Sequence, residues 1–445
     1  MRISRRDFLA AGGALAVATF VPGRLVAALE REAAPAKPVE RWADVRAQFR
    51  LDPDLMHFAS FFIASHPEPV RAAIEDFRRV LDANPFITVE HALFTSEAAN
   101  LQLKVRTDAA GYLGGKAEEV ALTHNTTTGL ALLYHGLPLR AGDEVLTTTH
   151  DHYVHHESIR LATARAGATS RRVPLYDDPA RATAGGIVGR LREAIRRETR
   201  VVGVTWVHSS TGVRLPIREI AAAVRDANQG REERDRVLLV VDGVHGLGAV
   251  DESVAELGCD YFCGGTHKWI FGPRGTGIVW ARADSWRRLR PTVPDFSNMA
   301  GFEAWMNGTP PPPTDAATMS PGGFVAFEHH WALGAAFRFH ERIGRARVGE
   351  RIRQLNDRCK EGLAAIPRVK LHTPRTAALS AGIIAFEVDG LAPADVVARL
   401  LERKIVASTS PYKVSYVRLA PSLVNDESEV DAALKAVRAI AGASG

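Results

Sequence analysis

A lysine and an aspartate in the middle of the chain are placed where both could serve one reaction. Lys268 follows the glycine-rich segment GGTH at 264–267, and Asp242 follows the apolar run VLLVV at 237–241. A lysine amine can bind pyridoxal phosphate (PLP) covalently, while a carboxylate facing the pyridine nitrogen keeps that nitrogen protonated so that the ring withdraws electrons. Together the two residues predict a PLP site, although either one alone could be a helix cap or a surface lysine.

The elements that must position these residues resemble strands of a parallel sheet. The run at 237–241 is typical of a strand buried on both faces, so Asp242 should lie at its carboxyl end, where open α/β sheets bind ligands. The segment 259–263 is expected to be a neighbouring strand that brings Lys268 to the same edge. Alternation with helical patterns predicts further strands at 119–123, 144–148, 201–207 and 277–281.

A phosphate site is expected directly after the strand at 119–123. The segment HNTTTG at 124–129 precedes the apolar helix LALLYHGL, and hydroxyl and N–H groups at a helix N-terminus attract anions. Thr126 or Thr127 could be an N-cap instead, and the two roles are compatible.

Histidines are concentrated after the strand at 144–148, at positions 150, 152, 155 and 156. An imidazole is flat enough to stack on a pyridine ring. Metal binding is the alternative, but no zinc motif accompanies the histidines, so we expect no metal site.

Composition indicates a soluble enzyme with two domains. The chain has 445 residues, of which 46% are hydrophobic, and a formal charge of +5. It has no basic stripe with interleaved aromatic residues, so nucleic acid is not an expected partner. Cys259, Cys263 and Cys359 show neither metal nor disulfide spacing.

Residues 1–28 resemble a twin-arginine export signal. The segment SRRDFL at 4–9 precedes an apolar run that ends at Val21, and VAA at 26–28 offers small residues for cleavage. The run is too short to span a bilayer comfortably. We therefore expect a periplasmic or otherwise exported protein with no stable membrane anchor after removal of the signal. The alternatives are a cytoplasmic amphipathic helix and a membrane anchor.

The proline-rich stretch at 310–313 suggests where two domains meet. We expect a lead-in segment at 29–54, a large cofactor-binding domain at 55–310 and a small C-terminal domain at 311–445. The small domain would begin with a helical stretch at 324–364 and include a strand near 382–388.

The ordered motifs resemble the class V aminotransferase family of fold-type I PLP enzymes, and within it the isopenicillin N epimerase-like branch. These motifs are HNTTTG, DH after a strand, VDGVH, THK, FGPRGTG and VRLAPSLVNDESEVD, and they extend from about residue 55 to 440. The resemblance implies an α/β fold with a mostly parallel seven-stranded sheet in the large domain and a smaller α+β C-terminal domain. It also implies a homodimer with shared active sites.

The resemblance further assigns roles to particular residues. Lys268 would bind PLP, Asp242 would pair with the pyridinium nitrogen, His245 would lie near the phenolic oxygen, and His152 would stack on the ring. Thr266 stands near a position where the family often has a serine. Phosphate contacts are implied for Thr126, Thr127 and His267, and for Arg274 and Thr276 toward the neighbouring subunit.

Substrate contacts are implied as well. Arg418 in VRLAPS would bind the substrate carboxylate, because a guanidinium can form a bidentate pair with it; a surface salt bridge is the alternative. Further candidates by position are Tyr153, His208, Ser209 and Tyr412. The loop at 407–416 contains no cysteine, so cysteine desulfurase activity, which needs a thiol there, is not expected.

The expected reaction begins at the α-carbon of an amino acid or a derivative of one, with the Lys268 amine as the base. Transamination is favoured, and epimerisation and β-elimination are alternatives. Two hypotheses from other classes are a non-catalytic binding module that retains the fold and a protein that binds a nucleotide or sugar phosphate at HNTTTG.

Overall fold

The computed structural model describes residues 39–94 and 100–442. The export signal expected at 1–28 lies outside these residues. Within the described part, none of the helices combines the length and the apolar character that crossing a bilayer requires.

A seven-stranded sheet forms the centre of the large domain, as the family resemblance implies. The strand order is β2-β8-β7-β6-β5-β3-β4. Strands β3 to β7 run parallel to one another, whereas β8 is antiparallel to both of its neighbours, β7 and β2. The strands are β2 (Val120–Thr123), β3 (Glu144–Thr148), β4 (Thr169–Val173), β5 (Thr199–Thr205), β6 (Leu238–Asp242), β7 (Tyr261–Gly265) and β8 (Gly277–Ala281).

Helices surround this sheet and continue into the small domain. The α-helices are α1 (Trp42–Arg46), α2 (Glu68–Ala83), α3 (Pro85–Phe94), α4 (Leu101–Leu113), α5 (Thr126–Gly136), α6 (Tyr153–Ala166), α7 (Ala184–Ala194), α8 (Ile217–Ala227), α9 (Met299–Asn307), α10 (Phe327–Ile343), α11 (Arg345–Ala364), α12 (Pro393–Leu401) and α13 (Glu427–Gly442). Short 3-10 helices occur at 117–119, 179–181, 233–235, 254–256, 285–288 and 377–379.

Two differences from the predicted strands have simple causes. Strand β4 was not predicted, because its sequence TSRRV is half exposed and carries no apolar run. Strand β7 ends at Gly265, two residues later than expected, because Gly264 and Gly265 still pair with β8. The glycines belong to the strand and not to the turn that follows it.

The small domain is built on a four-stranded antiparallel sheet with the order β12-β13-β10-β9. Its strands are β9 (Val369–Leu371), β10 (Ile384–Val388), β12 (Ser408–Thr409) and β13 (Val417–Leu419). A two-stranded parallel sheet joins β1 (Met56–His57) to β11 (Ile405–Val406). The buried Phe58 packs in the small-domain core, so this part of the chain joins the small domain and not the large domain expected from residue 55.

The second expected boundary also shifts. Helix α10 packs against α2 and α4, where the Trp331 ring lies 5.6 Å from Phe77 and the Phe337 ring 5.5 Å from Tyr112. Trp331 and Phe337 both belong to the core of the large domain. The change of domain therefore falls at Gly344, between α10 and α11, where a φ of 94° suits glycine. The prolines at 310–313 mark a loop and not a domain boundary.

Candidate active site

A cavity of about 340 Å³ lies at the carboxyl ends of the parallel strands. Its floor comes from the sheet, and Pro411, Tyr412 and Arg418 of the small domain close one side. Ten of the residues expected at the site line it: Thr126, Thr127, His152, Ser209, Asp242, His245, His267, Lys268, Tyr412 and Arg418. The structure therefore brings these ten residues together in one cavity.

Lys268 reaches the cavity from the turn after β7. Its Nζ atom lies 3.2 Å from Nε2 of His245. Burial lowers the pKa of the lysine amine, and the negative charge of Asp242 opposes that shift while Arg418 reinforces it. A buried amine of lowered pKa is a better nucleophile and proton acceptor at neutral pH than an ordinary lysine.

The turn that carries Lys268 is held in a strained conformation. Phe271 has a φ of 58°, which is unusual for a bulky residue. Its amide donates to the carbonyl oxygen of Lys268 at 3.0 Å, and Gly272 donates to that of Thr266 at 2.8 Å. The buried Phe271 ring packs 5.0 Å from that of Phe49. Such strain persists where the surroundings fix the backbone, as is common at functional sites.

Asp242 ends β6 next to the lysine turn. It is paired in register with Thr205 of β5, and its Oδ1 accepts a hydrogen bond from the Val244 amide at 3.1 Å. Burial raises the pKa of this carboxyl group. The next residue must be glycine, because a Cβ on Gly243 would lie 1.9 Å from Cζ of Phe262. The absence of a side chain at position 243 thus lets the backbone after Asp242 pack directly against the Phe262 ring.

The N-terminus of α5 forms a potential phosphate site. Asn125 is the N-cap, since its Oδ1 accepts from the Thr128 amide at 2.8 Å, so neither Thr126 nor Thr127 has the capping role considered as an alternative. Thr126 Oγ1 accepts from the Gly265 amide at 2.8 Å and so links α5 to the end of β7, next to the lysine turn. Thr127 is exposed to the cavity.

His152 lies at the start of α6. Its Nδ1 accepts from the Val154 amide at 3.3 Å, and its ring meets that of Tyr412 edge to face at a distance of 6.1 Å. Burial lowers its pKa, so an uncharged imidazole faces the cavity. The preceding Asp151 is buried and accepts from the amides of Thr148 and Thr205, each at 2.8 Å. Asp151 therefore joins the ends of β3 and β5 beneath His152.

Arg418 projects from β13 into the cavity. It donates from Nη1 to the carbonyl oxygen of Ser209 at 2.8 Å and from Nη2 to that of Thr409 at 2.7 Å, and its guanidinium lies 4.7 Å from the centre of the Phe61 ring. Its Nε is buried without a hydrogen-bond partner. Burial lowers its pKa to about 10. Among the described residues Arg418 forms no salt bridge, so the alternative role in a surface salt bridge does not apply.

Five expected residues lie outside the cavity. His208 is fully buried, and its Nδ1 lies 2.7 Å from the Tyr176 hydroxyl. The imidazole is therefore covered by other protein atoms. Tyr153 is 68% exposed on the outer surface. Neither side chain lines the cavity in this structure.

The other three belong to the segment around FGPRGTG. Thr266 and Thr276 are fully buried with their hydroxyl oxygens 2.6 Å apart, and Thr276 also donates to the Pro273 carbonyl oxygen. These contacts occupy both hydroxyls, so neither can contact a phosphate in this arrangement. Arg274 is exposed on the surface, and its expected contact with the phosphate of the neighbouring subunit stays a prediction.

Other lining residues were not assigned from the sequence. They are Phe61, Phe62, Ile63, Asn125, His150, Val154, Thr205, Val244 and Pro411. The apolar segment HFASFFIAS carries the first three, and nothing in its pattern indicates contact with a sheet edge more than 60 residues later in the chain. Thr205 ends β5, but the predicted strand at 201–207 ended two residues later and therefore did not indicate it.

The four clustered histidines have separate contacts. Nε2 of His150 accepts from the Leu175 amide at 3.1 Å, and Nε2 of His155 lies 2.6 Å from the Tyr134 hydroxyl. His156 donates to the carbonyl oxygen of Thr148 at 2.8 Å. The described residues contain no group of three or more His, Cys, Asp or Glu side chains that could hold a metal ion.

A larger cleft of about 520 Å³ lies between Arg214 of the large domain and Lys360 of the small domain. Its basic groups already have partners: Arg214 pairs with Glu252, and the Lys360 amine donates to Ser380 Oγ at 2.8 Å and lies 3.0 Å from Asp357 Oδ1. The cavity with Lys268 is the better candidate for chemistry.

The cavity residues fit PLP. Asp242 offers a buried carboxylate for a pyridinium nitrogen, and Nδ1 of His245 is buried without a partner, as expected if a ligand oxygen completes its hydrogen bonding. Lys268 supplies the amine, and the N-terminus of α5 supplies the anion site.

Comparison with known proteins agrees with this arrangement. The chain is 26% identical over 419 residues to the isopenicillin N epimerase of Streptomyces clavuligerus, covering 91% of this chain and 99% of that protein. It is 25% identical over 371 residues to a probable cysteine desulfurase of Methanothermobacter thermautotrophicus, covering 81% and 85%.

Among solved structures, a C-DES mutant with glycine covalently linked to its PLP cofactor superposes with a TM-score of 0.76. It shares 24% sequence identity, and the match covers 88% of this chain and 98% of that one. This likeness concerns the fold, which is that of fold-type I PLP enzymes.

The family Aminotransferase class-V matches residues 63–431, a span that includes most of both domains and every cavity residue described above except Phe61 and Phe62. Because this match covers most of the sequence, the chain belongs to the class V aminotransferase family, whose enzymes use PLP.

Proposed function

We propose that this protein binds PLP and acts at the α-carbon of an amino acid or an amino-acid derivative. One observation carries the proposal: the Lys268 amine, whose pKa is lowered by burial, shares a cavity with Asp242 and Arg418. Removal of an α-proton requires a base, a site for an electron-withdrawing cofactor and a site for the substrate carboxylate.

The cavity residues would divide the binding of PLP among them. Lys268 would form the covalent link, and Asp242 would face the pyridinium nitrogen. The phosphate would lie at the start of α5, near Thr127 and His267. When bound, PLP supplies the electron sink that stabilises negative charge at the α-carbon.

The protein side chains would then control the substrate and its proton. Arg418 would hold the carboxylate with the N–H groups that its backbone contacts leave available. The Lys268 amine would remove the α-proton and return it. Because the pKa of Lys268 is lowered, more of this amine is unprotonated at neutral pH than in an exposed lysine.

We propose transamination as the reaction, with return of the proton to the cofactor side. Epimerisation is the second candidate, because the similarity to an isopenicillin N epimerase extends over 419 residues. It requires a second proton donor, and the Tyr412 hydroxyl, 2.6 Å from Ser209 Oγ in the same cavity, is the group we would assign.

Cysteine desulfurase activity is not part of the proposal, although a relative bears that name. All three cysteines of the chain are buried. Burial raises the pKa of Cys259 and of Cys359 to about 12, and that of Cys263 well above its usual range. None of them lines the cavity, so no thiolate is available to accept sulfur.

The test is to incubate the PLP-loaded protein in D₂O with a panel of L- and D-amino acids, with and without a 2-oxo acid. Transamination would convert the oxo acid to a new amino acid. Epimerisation would give the opposite enantiomer with deuterium at the α-carbon, and elimination would release ammonia. Absence of α-proton exchange in every member of the panel would contradict the proposal, and Lys268→Ala serves as the control.

We further propose that the protein is a homodimer. Support comes from large apolar side chains that are exposed in the single chain, such as Phe296, Trp305 and Phe324, since such surfaces commonly mark interfaces. Light scattering after size exclusion would show twice the chain mass. A monomer at micromolar concentration would contradict this assignment.

Export through the twin-arginine route is a separate proposal that rests on the segment at 4–28. Changing Arg5 and Arg6 together to lysine should retain the full-length protein inside the cell. Normal export of that variant would contradict the proposal.

A further inference from the structure

We infer that the substrate carries a single carboxylate and an uncharged, mainly apolar side chain. The inference rests on the proposed function and names the substrate class of the same site. Three features of the cavity support it: its cations, the contacts of Arg418, and the apolar wall formed by residues 61–63.

The cavity offers few positive charges. Among the described lining residues, Lys268 and Arg418 are the only lysine and arginine. Burial lowers the pKa of each of the four lining histidines: His150, His152, His245 and His267. These imidazoles are therefore uncharged at neutral pH. Since Lys268 is assigned to the cofactor, Arg418 is left as the cation for a substrate anion.

Arg418 has room for one carboxylate. Two of its N–H groups already donate to the backbone oxygens of Ser209 and Thr409. The buried Nε has no partner, and with a remaining N–H of the guanidinium it can bind one carboxylate in the bidentate manner. A second carboxylate would find no donor of comparable strength.

Arg418 is also fixed in place. Its guanidinium lies over the ring of Phe61, which is buried, and the two carbonyl contacts hold it from other sides. A cation stacked on an aromatic ring and hydrogen-bonded to the backbone cannot swing to meet a distant anion without losing these contacts. The arginine therefore binds a carboxylate at one position, next to Ser209.

Residues 61–63 form an apolar, uncharged part of the cavity wall. Phe62 is 68% exposed and Ile63 is 47% exposed, although both are large apolar residues, and both line the cavity with Phe61. They offer apolar surface to a substrate side chain, which gains free energy as that surface leaves water. A charged side chain would lose hydration there without a partner, which is costly.

A set of amino-acid substrates distinguishes the effect of side-chain charge from that of side-chain shape. With the PLP-loaded protein, we expect kcat/KM for L-norleucine to exceed that for L-glutamate by a factor on the order of 100. L-glutamine, which matches glutamate in shape but is uncharged, should fall between them. Calorimetry on the same protein should show that 4-methylpentanoate binds about tenfold more tightly than glutarate. Equal or better use of glutamate, or tighter binding of glutarate, would overturn the inference.

A substitution in the apolar wall provides a second test. Ile63→Arg should supply the missing cation and raise kcat/KM for L-glutamate by about tenfold over Ile63→Met, a neutral variant of similar length. Thermal unfolding of both variants checks that they fold. No gain for glutamate in a folded Ile63→Arg protein would overturn the assignment of this wall to the substrate side chain.

These outcomes can be distinguished from failure of the proposed function. PLP absorbance and α-proton exchange are recorded for every sample. A protein that loads no PLP, or exchanges no α-proton, contradicts the proposed function itself. A protein that loads PLP and exchanges the α-proton of glutamate in preference to that of norleucine contradicts only the substrate class.

Discussion

Nζ of Lys268 lies 3.2 Å from Nε2 of His245, although the two residues follow different strands of the sheet. The other ring nitrogen of His245 is buried and has no hydrogen-bond partner. Burial lowers the pKa of both side chains. An uncharged imidazole next to the amine can accept a hydrogen bond from the amine and orient the amine toward the cavity. The Lys268 nucleophile and the unpartnered ring nitrogen of His245, a potential ligand contact, then lie on one wall.

The pKa of Lys268 should respond to Arg418. Burial lowers this pKa, and the positive charge of Arg418 lowers it further. Replacing Arg418 with methionine should therefore raise the pKa toward the ordinary value of about 10.4. Because PLP attaches to the unprotonated amine, the pH midpoint for the rate of PLP incorporation into the apoprotein should move to higher pH. Absorbance after mixing at a series of pH values measures this midpoint.

The matched control for that experiment is Arg418→Lys, which retains a positive charge. It should leave the midpoint close to that of the unaltered protein. A downward shift in the methionine variant, or equal shifts in both variants, would disprove the electrostatic coupling of Arg418 to Lys268.

Thr126 and Thr127 are expected to differ when each is replaced with valine. Thr127→Val should weaken PLP binding by about tenfold with little change in stability, because it removes one exposed hydroxyl. Thr126→Val should also lower the free energy of unfolding by about 1–3 kcal/mol, since the buried Gly265 amide loses its acceptor. PLP titration and urea unfolding measure the two effects. Equal losses of stability would show that the Thr126 contact is unimportant.

Asp151 should contribute to stability in a pH-dependent way. Burial alone would raise its pKa, but His155, His208 and the hydrogen bonds from Thr205 and Thr148 lower it to about 2. A carboxyl group whose pKa is depressed on folding stabilises the protein above its unfolded pKa of about 3.9, and that stability is lost as pH falls toward 2.

Asp151→Asn should therefore lose about 1–3 kcal/mol of unfolding free energy at neutral pH, because an NH₂ group would face one of the amides that now donate to the carboxylate. The stability loss between about pH 4 and pH 2 should also become shallower. Urea unfolding across this pH range measures both. The exposed Asp177→Asn is the control and should change stability by less than about 1 kcal/mol; a comparable effect there would refute a special role for Asp151.

The positions of Asp242 and Lys268 could be predicted because both follow short buried strands, and ligand sites form at the carboxyl ends of parallel strands. The direction of β8 relative to its neighbouring strands could not be predicted in the same way. Its sequence GIVWA shows burial, and a buried strand has the same composition whether it runs parallel or antiparallel to its neighbours. Buried strands lack the alternation that would distinguish them.

Contacts made by loops were the hardest to predict. Ser209 and His208 are adjacent in sequence, yet Ser209 lines the cavity while His208 is bonded to Tyr176, which comes from another loop. No local pattern specifies which of two neighbouring polar residues turns toward a ligand. The apolar residues 61–63 were missed for the same reason, since their partner surface is remote in sequence.

The most direct test of the central claim is to reduce the PLP-loaded protein with borohydride and identify the labelled peptide by mass spectrometry. We expect PLP to be fixed to the peptide that contains Lys268, and we expect Lys268→Ala to bind no PLP covalently while it unfolds at a similar temperature. Label on a different lysine, or full turnover by a folded Lys268→Ala protein, would contradict the account.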